Sequence, residues 1–273
     1  MRNLRQILAS REKLKEEAPL IHAITNPIAI NMVANAILAL GAKAICASHP
    51  DEVEEIVSLS KALSLNLGNI TDERMVAIDK AALAARDKKI PVIIDLVGVG
   101  ASTLRYEFAK NLLETYKFAI IKGNSSEIRA LALGKSKAKG IDVGDEDKIT
   151  DYNFNQIARQ ARKLCQKYQT KVLITGAKDL IISEDSYIIA SNGVENLSKI
   201  TGTGCMLTAI ISSFMAVTSP VEAGLLGLLL MGVSGELANT DRFYTFFVNL
   251  MDEIATIKDE DILERARVKE VKF

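Results

Sequence analysis

The sequence predicts an α/β fold with a mainly parallel central sheet, helices on both faces and an antiparallel edge late in the chain. Three observations carry this. Short apolar runs alternate with helix-length segments as far as residue 175. One run, Ile90-Pro-Val-Ile-Ile-Asp95, is almost continuously apolar, as in a strand buried on both faces. Residues 179–191 read as two strands folded back around Glu184-Asp185.

The elements follow in order. Residues 2–17 place Leu4, Ile7, Leu8 and Leu14 at helical spacing, and Pro19 ends the helix. Residues 19–25 read as a strand, and 28–40 as an apolar helix closed by Gly41. A strand is expected over 42–48 and a helix over 51–60. The strand at 62–67 ends in Gly68-Asn69, and Thr71 followed by acids opens a helix reaching about residue 87. The strand at 90–95 stops at an acid, with Gly98 and Gly100 just beyond. Helix 103–115, strand 118–122, helices 125–133 and 153–168, and strand 171–175 complete the alternation. The Lys/Gly-rich stretch 134–152 reads as a surface insertion within one domain, residues 1–273.

Residues 200–217 form the stretch around which the chain is organised. Gly202 and Gly204 stand between threonines and open onto an uncharged apolar run. A glycine turn at a helix mouth leaves backbone N–H groups pointing one way, and the helix dipole adds positive potential there, an arrangement that suits an anion. A buried helix with a tight entry fits the same residues. Cys205 falls in the first turn, where a thiol is expected to ionise most easily.

Zero net charge, from 34 Lys+Arg and 34 Asp+Glu, removes the electrostatic footprint of a nucleic-acid binder. A 48% hydrophobic composition supplies a full core. Three cysteines without a CxxC suggest reduced thiols in a cytoplasmic protein, and residues 1–17 lack the apolar segment of a signal peptide. Residues 200–221 are long enough to span a bilayer, which takes about 20 apolar residues. Their glycines, threonines, serines and Pro220, with Glu222 before a shorter run at 223–235, favour two buried helices joined at Ser219-Pro220. No membrane span is expected.

Ligands of open α/β sheets bind beyond the carboxyl ends of the strands. Polar and small residues collect at those ends here: Thr25-Asn26, Asn66 to Gly68, Asp95, Lys122-Gly-Asn124 and Thr175-Gly176. Asp95 before a glycine turn suits a Mg²⁺ beside phosphates, or a loop cap. Lys122-Gly-Asn-Ser-Ser-Glu127 groups a cation, an amide and a carboxylate at a strand-to-helix turn. It suits a phosphate and a metal, or a helix start capped by Ser125 or Ser126. GxGxxG is incomplete because position 103 is Thr, and GxSxG, GxxxxGK[ST] and zinc spacing are absent. His22 reads as a hydrogen-bonded core residue.

Taken together, these residues resemble the hydroxyethylthiazole kinase family of thiamine biosynthesis and salvage. The landmarks run in order as PLIHAITNPIAINMVANAILALGA at 19–42, LNLGNI at 65–70, PVIIDLVGVGAS at 91–102, IKGNSSEI at 121–128, GIDVGD at 140–145, ITGAKD at 174–179 and ITGTGCMLTA at 200–209. The resemblance implies a three-layer ribokinase-like fold, an ATP- and Mg²⁺-dependent kinase of hydroxyethylthiazole, and a homotrimer with sites at subunit boundaries. It places Gly202, Cys46 and Asn26 about the substrate, with Asn26 also close to the nucleotide phosphates and metal. Lys122, Asn124 and Thr175 fall at ATP-contacting positions, and Asp95 and Glu127 at the acidic positions associated with magnesium. The Gly202, Gly204 and Cys205 amides form the anion hole, and Cys205 occupies the position of the wider superfamily's catalytic Asp. Lys122 stands for the family's usual Arg, Cys46 for a common Met, and Ala23 for the Asn of HNITN. DPVG is Asp95-Leu-Val-Gly98 here, and Arg242 to Phe247 lacks the usual Gly-Pro-Gly-Ser. A kinase of hydroxymethylpyrimidine or another vitamin alcohol, and a non-catalytic thiazole-binding protein, are the alternatives.

Overall fold

A computed structural model describes residues 3–133 and 154–273, so the insertion expected at 134–152 and the 140–145 landmark lie outside the described residues. The chain begins with α1 (Leu4–Glu17) and β1 (Leu20–Ile24), then a 3-10 turn (Pro27–Ala29) that leads into α2 (Ile30–Ala39). Next come β2 (Lys43–Ile45), α3 (Val53–Leu59), β3 (Ala62–Asn66), α4 (Asp72–Lys88), β4 (Val92–Asp95) and α5 (Thr103–Thr115). They are followed by β5 (Ile120–Asn124), α6 (Ser125–Leu133), α7 (Phe154–Tyr168), β6 (Lys171–Thr175), β7 (Asp179–Ile182) and β8 (Ser186–Ala190). The chain closes with α8 (Asn196–Lys199), α9 (Thr203–Met215), α10 (Pro220–Leu237), α11 (Phe243–Thr256), α12 (Asp259–Arg265) and β9 (Val268–Lys272).

Among the described residues the strands form one sheet in the order β2-β1-β3-β4-β5-β6-β7-β8-β9. The first six are parallel to their neighbours, and β6 to β9 pair antiparallel, which gives the expected edge. Two apolar layers sandwich it. One packs α1, α2, α9, α10, α11 and α12 on Ile21, Ala23, Ile93, Ile120 and Leu173. The other packs α3 to α7 on Leu63, Leu65, Ile94, Ile121 and Val172. Neighbouring strand residues alternate between the layers, as the two-residue period requires.

Three expectations shift. β5 begins and ends two residues later than predicted, because Gly123 and Asn124 pair with Ile174 and Thr175 despite their weak strand propensity. β2 shrinks to three residues, since it is an edge strand held by β1 alone. Beyond residue 241 the sequence predicted nothing, yet α11, α12 and β9 are there. β9 is a Lys- and Glu-rich edge strand whose charges blunt further pairing.

The two uncharged helices are joined as expected. Ser219 caps α10 through Glu222 N, and Pro220 takes the first helical position. By length and composition alone α10 is apolar enough to cross a membrane, but 72% of it is buried inside the fold. It packs against α9, α11, α12 and the antiparallel strands, which uses up its apolar surface.

Candidate active site

Strand register builds the floor of the site. Asn66 pairs with Asp95, and Asp95 with Lys122, so three polar residues lie abreast on adjacent central strands. All three project from the face covered by α9, opposite Leu65, Ile94 and Ile121. Asp95 Oδ2 accepts from Lys122 Nζ at 2.9 Å, from Thr208 Oγ1 of α9 at 2.7 Å and from Asn66 Nδ2 at 3.3 Å. Asp95 Oδ1 has no hydrogen-bond partner among the described residues. The Lys122 and Asp95 side chains are 4% and 3% exposed. Burial is the largest single influence and works against the Lys122 charge, but Asp95, with Cys205 and Glu127 beside it, holds the ammonium above its usual value.

The roof is the mouth of α9. Gly202 is the cap residue with φ +95°, and a Cβ there would lie 2.5 Å from Met32 Sδ and 3.4 Å from Ala29 Cβ. Only glycine takes this left-handed position without strain. Gly204 is roomier; a Cβ there would stand 3.8 Å from Lys122 Nζ. The ammonium therefore sits at the helix N-terminus, where first-turn amides lack intrahelical acceptors. Cation and helix end reinforce each other at one spot, and both favour an anion.

Cys205 does not ionise easily here, contrary to the sequence expectation. Burial and then the Asp95 charge push its thiol up to about 11, against Lys122, Asn66 and Thr25. Desolvation beats the helix end. The thiol is neutral at pH 7, and its sulfur accepts from Asn66 Nδ2 at 3.4 Å.

The β5–α6 turn is capped by Asn124, not by Ser125 or Ser126. Asn124 Oδ1 accepts from Glu127 N at 2.9 Å, and Glu127 Oε2 accepts from Asn124 N at 2.7 Å, a reciprocal box. Glu127 Oε1 accepts from Gly98 N at 2.8 Å, so this carboxyl ties the Asp95 loop to β5. Burial and the Asp95 charge raise it to about 7, against the two amides and Lys122.

Of the residues predicted for the site, Asp95, Lys122, Cys205 and the Gly202–Gly204 turn come together directly. Glu127 stands one loop away with both oxygens engaged. Thr175 pairs with Asn124 at the end of β6, on the same rim. Asn26 Oδ1 accepts from Ile28 N, and its Nδ2 lies 2.8 Å from where a Gly68 Cβ would stand, as does Asn66 Oδ1. Cys46 follows β2 at the sheet margin, half-buried on the α2 side and bonded to none of these. Asn66 and Thr25 stand on the rim the sequence marks but have no assigned role there, and Thr208 is a site residue the sequence does not mark. Asn66 and Thr25 were visible at strand ends, whereas Thr208 is one hydroxyl in an apolar helix and gave no signal.

The sheet order with helices on both faces defines a class by fold, the ribokinase-like one. A ribokinase-like superfamily protein from Enterococcus faecalis, 12% identical, superposes with a TM-score of 0.64 over 91% of this chain and 89% of that one, which bears on the fold alone. The hydroxyethylthiazole kinase family model matches residues 12–260. "Hydroxyethylthiazole kinase 2" of Clostridium botulinum strain 657 is 46% identical over 259 residues, covering 94% of this chain and 98% of that protein. The solved structure of a hydroxyethylthiazole kinase protein from Pyrococcus horikoshii OT3 is 30% identical, with a TM-score of 0.87 over 98% of this chain and 99% of that one. The chain belongs to the hydroxyethylthiazole kinase family.

Proposed function

We propose that this chain, acting as one domain, transfers the γ-phosphate of ATP to the hydroxyethyl alcohol of hydroxyethylthiazole in thiamine biosynthesis or salvage. The observation that carries the reading is the buried Lys122 ammonium beside Gly204, beneath the open end of α9. The alcohol oxygen attacks the γ-phosphorus as the bond to the β-phosphate oxygen breaks, releasing ADP. The amides of residues 202–205 and Lys122 hold the charge on the transferring group. Cys46 and Gly202 border the thiazole, Asn26 faces substrate and phosphates, and Asn124 and Thr175 face ATP.

Mg²⁺ suits this donor set. Among the described residues no three His, Cys, Asp or Glu side chains cluster as a cage. Mg²⁺ beside a nucleotide needs only one or two carboxylates, with phosphates and water completing its shell. Asp95, through its open Oδ1, and Glu127, through water, would hold it; when bound it neutralises phosphate charge. Measuring ADP release with hydroxyethylthiazole against hydroxymethylpyrimidine tests the function. Faster turnover of the pyrimidine would select the related kinase, and tight thiazole binding without ADP a binding protein.

A neutral thiol is a poor proton acceptor, which a loose transition state tolerates. Cys205→Asp is expected to match or exceed wild-type kcat in the ADP assay. A fall to background would reject a proton-handling role at this position.

A cytoplasmic homotrimer completes the proposal. The three cysteines are free. Ile28 of the 3-10 turn, Leu38 of α2, and Phe243, Tyr244 and Val248 of α11 are exposed, Tyr244 by 77%, and α2 and α11 pack together. An apolar face of this kind beside Met32 and Gly202 suits a subunit boundary at the site. Light scattering is expected to give the mass of three chains; a monomer at micromolar concentration would refute it.

A further inference from the structure

Arg74, in the first turn of α4, is 7% exposed and meets no carboxylate among the described residues. Its guanidinium donates instead to main-chain carbonyls: Gly68 O at 2.9 Å, Asn69 O at 3.1 Å and Asn66 O at 3.2 Å. Holding a cation on carbonyls with no carboxylate partner, and with its buried Nε unpaired, is costly, and the turn it holds is the only structure gained in return among the described residues. That turn is the carboxyl end of β3. Within it, Asn66 Oδ1 accepts from Gly68 N at 2.8 Å, which fixes the carboxamide so that Nδ2 faces Asp95 and Cys205. Thr71, the α4 cap, accepts from Arg74 N and anchors the same residue from its backbone. Burial lowers Arg74, and Cys205 partly restores it, so cation and thiol lie within electrostatic reach.

We infer that Arg74 is a positioning residue for phosphoryl transfer, clamping the 66–69 turn so that Asn66 bridges Asp95 and the Cys205 thiol. It touches no reacting atom and acts through Asn66. The inference rests on the kinase reading above. A displacement of this bridge by about 1 Å is enough to cost up to roughly 10²-fold in rate.

The test compares Arg74→Met, Arg74→Lys, Asn66→Ala and the double variant R74M/N66A, each corrected for folded fraction by thermal melting. R74M is expected to lower kcat about 10- to 100-fold with KM for ATP and thiazole nearly unchanged. R74K, whose single ammonium cannot span three carbonyls, is expected to recover only part, and it carries the test if R74M fails to fold. The double variant is expected to be no slower than N66A, because the arginine works through the asparagine. An independent arm follows iodoacetamide alkylation by peptide mass spectrometry: the Cys205 rate departs from wild type in R74M, because Asn66 Nδ2 is no longer held on its sulfur, while the Cys46 rate does not. Wild-type kcat in folded R74M, or multiplicative losses in the double variant, would overturn the inference. A wild-type chain with no thiazole turnover would defeat the kinase reading instead, and unchanged Cys205 alkylation would then overturn this one separately.

Discussion

Lys122→Met is expected to lower kcat for ADP release by about 10³-fold or more, the range seen when a charge-stabilising group is removed from a transferring phosphoryl. It is also expected to cost stability. Lys122 and Asp95 are a buried pair at 2.9 Å, and removing one partner leaves the other charge uncompensated, typically about 3–5 kcal/mol. Thr208 and Asn66 still donate to Asp95, which favours the lower end of that range. The two losses separate by measurement: urea denaturation gives stability, and ADP release on the folded fraction gives catalysis. Asp95→Asn is expected to destabilise similarly from the other side. The double variant K122M/D95N recovers part of the stability, since neither charge is then orphaned, and none of the activity. Lys122→Arg keeps the charge and is expected to remain within about tenfold of wild type. A folded K122M with kcat within tenfold of wild type would remove Lys122 from the anion site.

Much of this arrangement was legible as a list of strand ends. Asp95 follows an unbroken apolar run, and Lys122 and Thr175 end similar runs, so polar side chains at one rim followed from period and burial. What the list lacked was register. Asn66, Asp95 and Lys122 stand abreast only because β3, β4 and β5 are consecutive neighbours in phase. No local pattern encodes that pairing. Thr208 was invisible for a related reason: its hydroxyl reaches Asp95 across 113 positions of chain. The Asn124 cap was misread because Ser125 and Ser126 are equally good cap formers by type, and the extension of β5 through Asn124 moved the helix start.

At Cys205 a competitor overrides the helix end. A helix N-terminus stabilises a thiolate, as the sequence reading held, but Cys205 sits in a buried site with Asp95 already charged nearby. Desolvation and like charge then dominate. Residues 243–272 were unread for yet another reason. α11 carries the apolar Phe243, Tyr244 and Val248 on its exposed side as well as a buried stripe, and three of the five β9 residues are charged, so neither element declares its buried face in isolation.

Gly202→Val is expected to abolish turnover, with kcat/KM down by about 10²-fold or more, while the chain still folds. Two costs coincide at this residue. The left-handed backbone at φ +95° disfavours any Cβ by about 1–2 kcal/mol, and a β-branched side chain fares worse. The new Cβ would also fall 2.5 Å from Met32 Sδ, forcing that side chain away. Relaxing either strain turns the 202–205 amides, and a hole for a transferring phosphate depends on where those amides point. The fold is insulated from this because α9 is buried along its length against α2, α10 and the sheet. A drop of a few degrees in Tm is expected for a local cost of this size. Met32→Ala added to Gly202→Val separates the causes. It clears the contact but leaves the backbone strain, so activity returns if the clash alone matters and stays absent if the left-handed turn is what aims the amides. The geometry argues for the second outcome, since Ala29 Cβ, at 3.4 Å, still limits the side chain after Met32 is cut back. Retention of wild-type kcat/KM in Gly202→Val would place the transferring phosphate elsewhere than the mouth of α9.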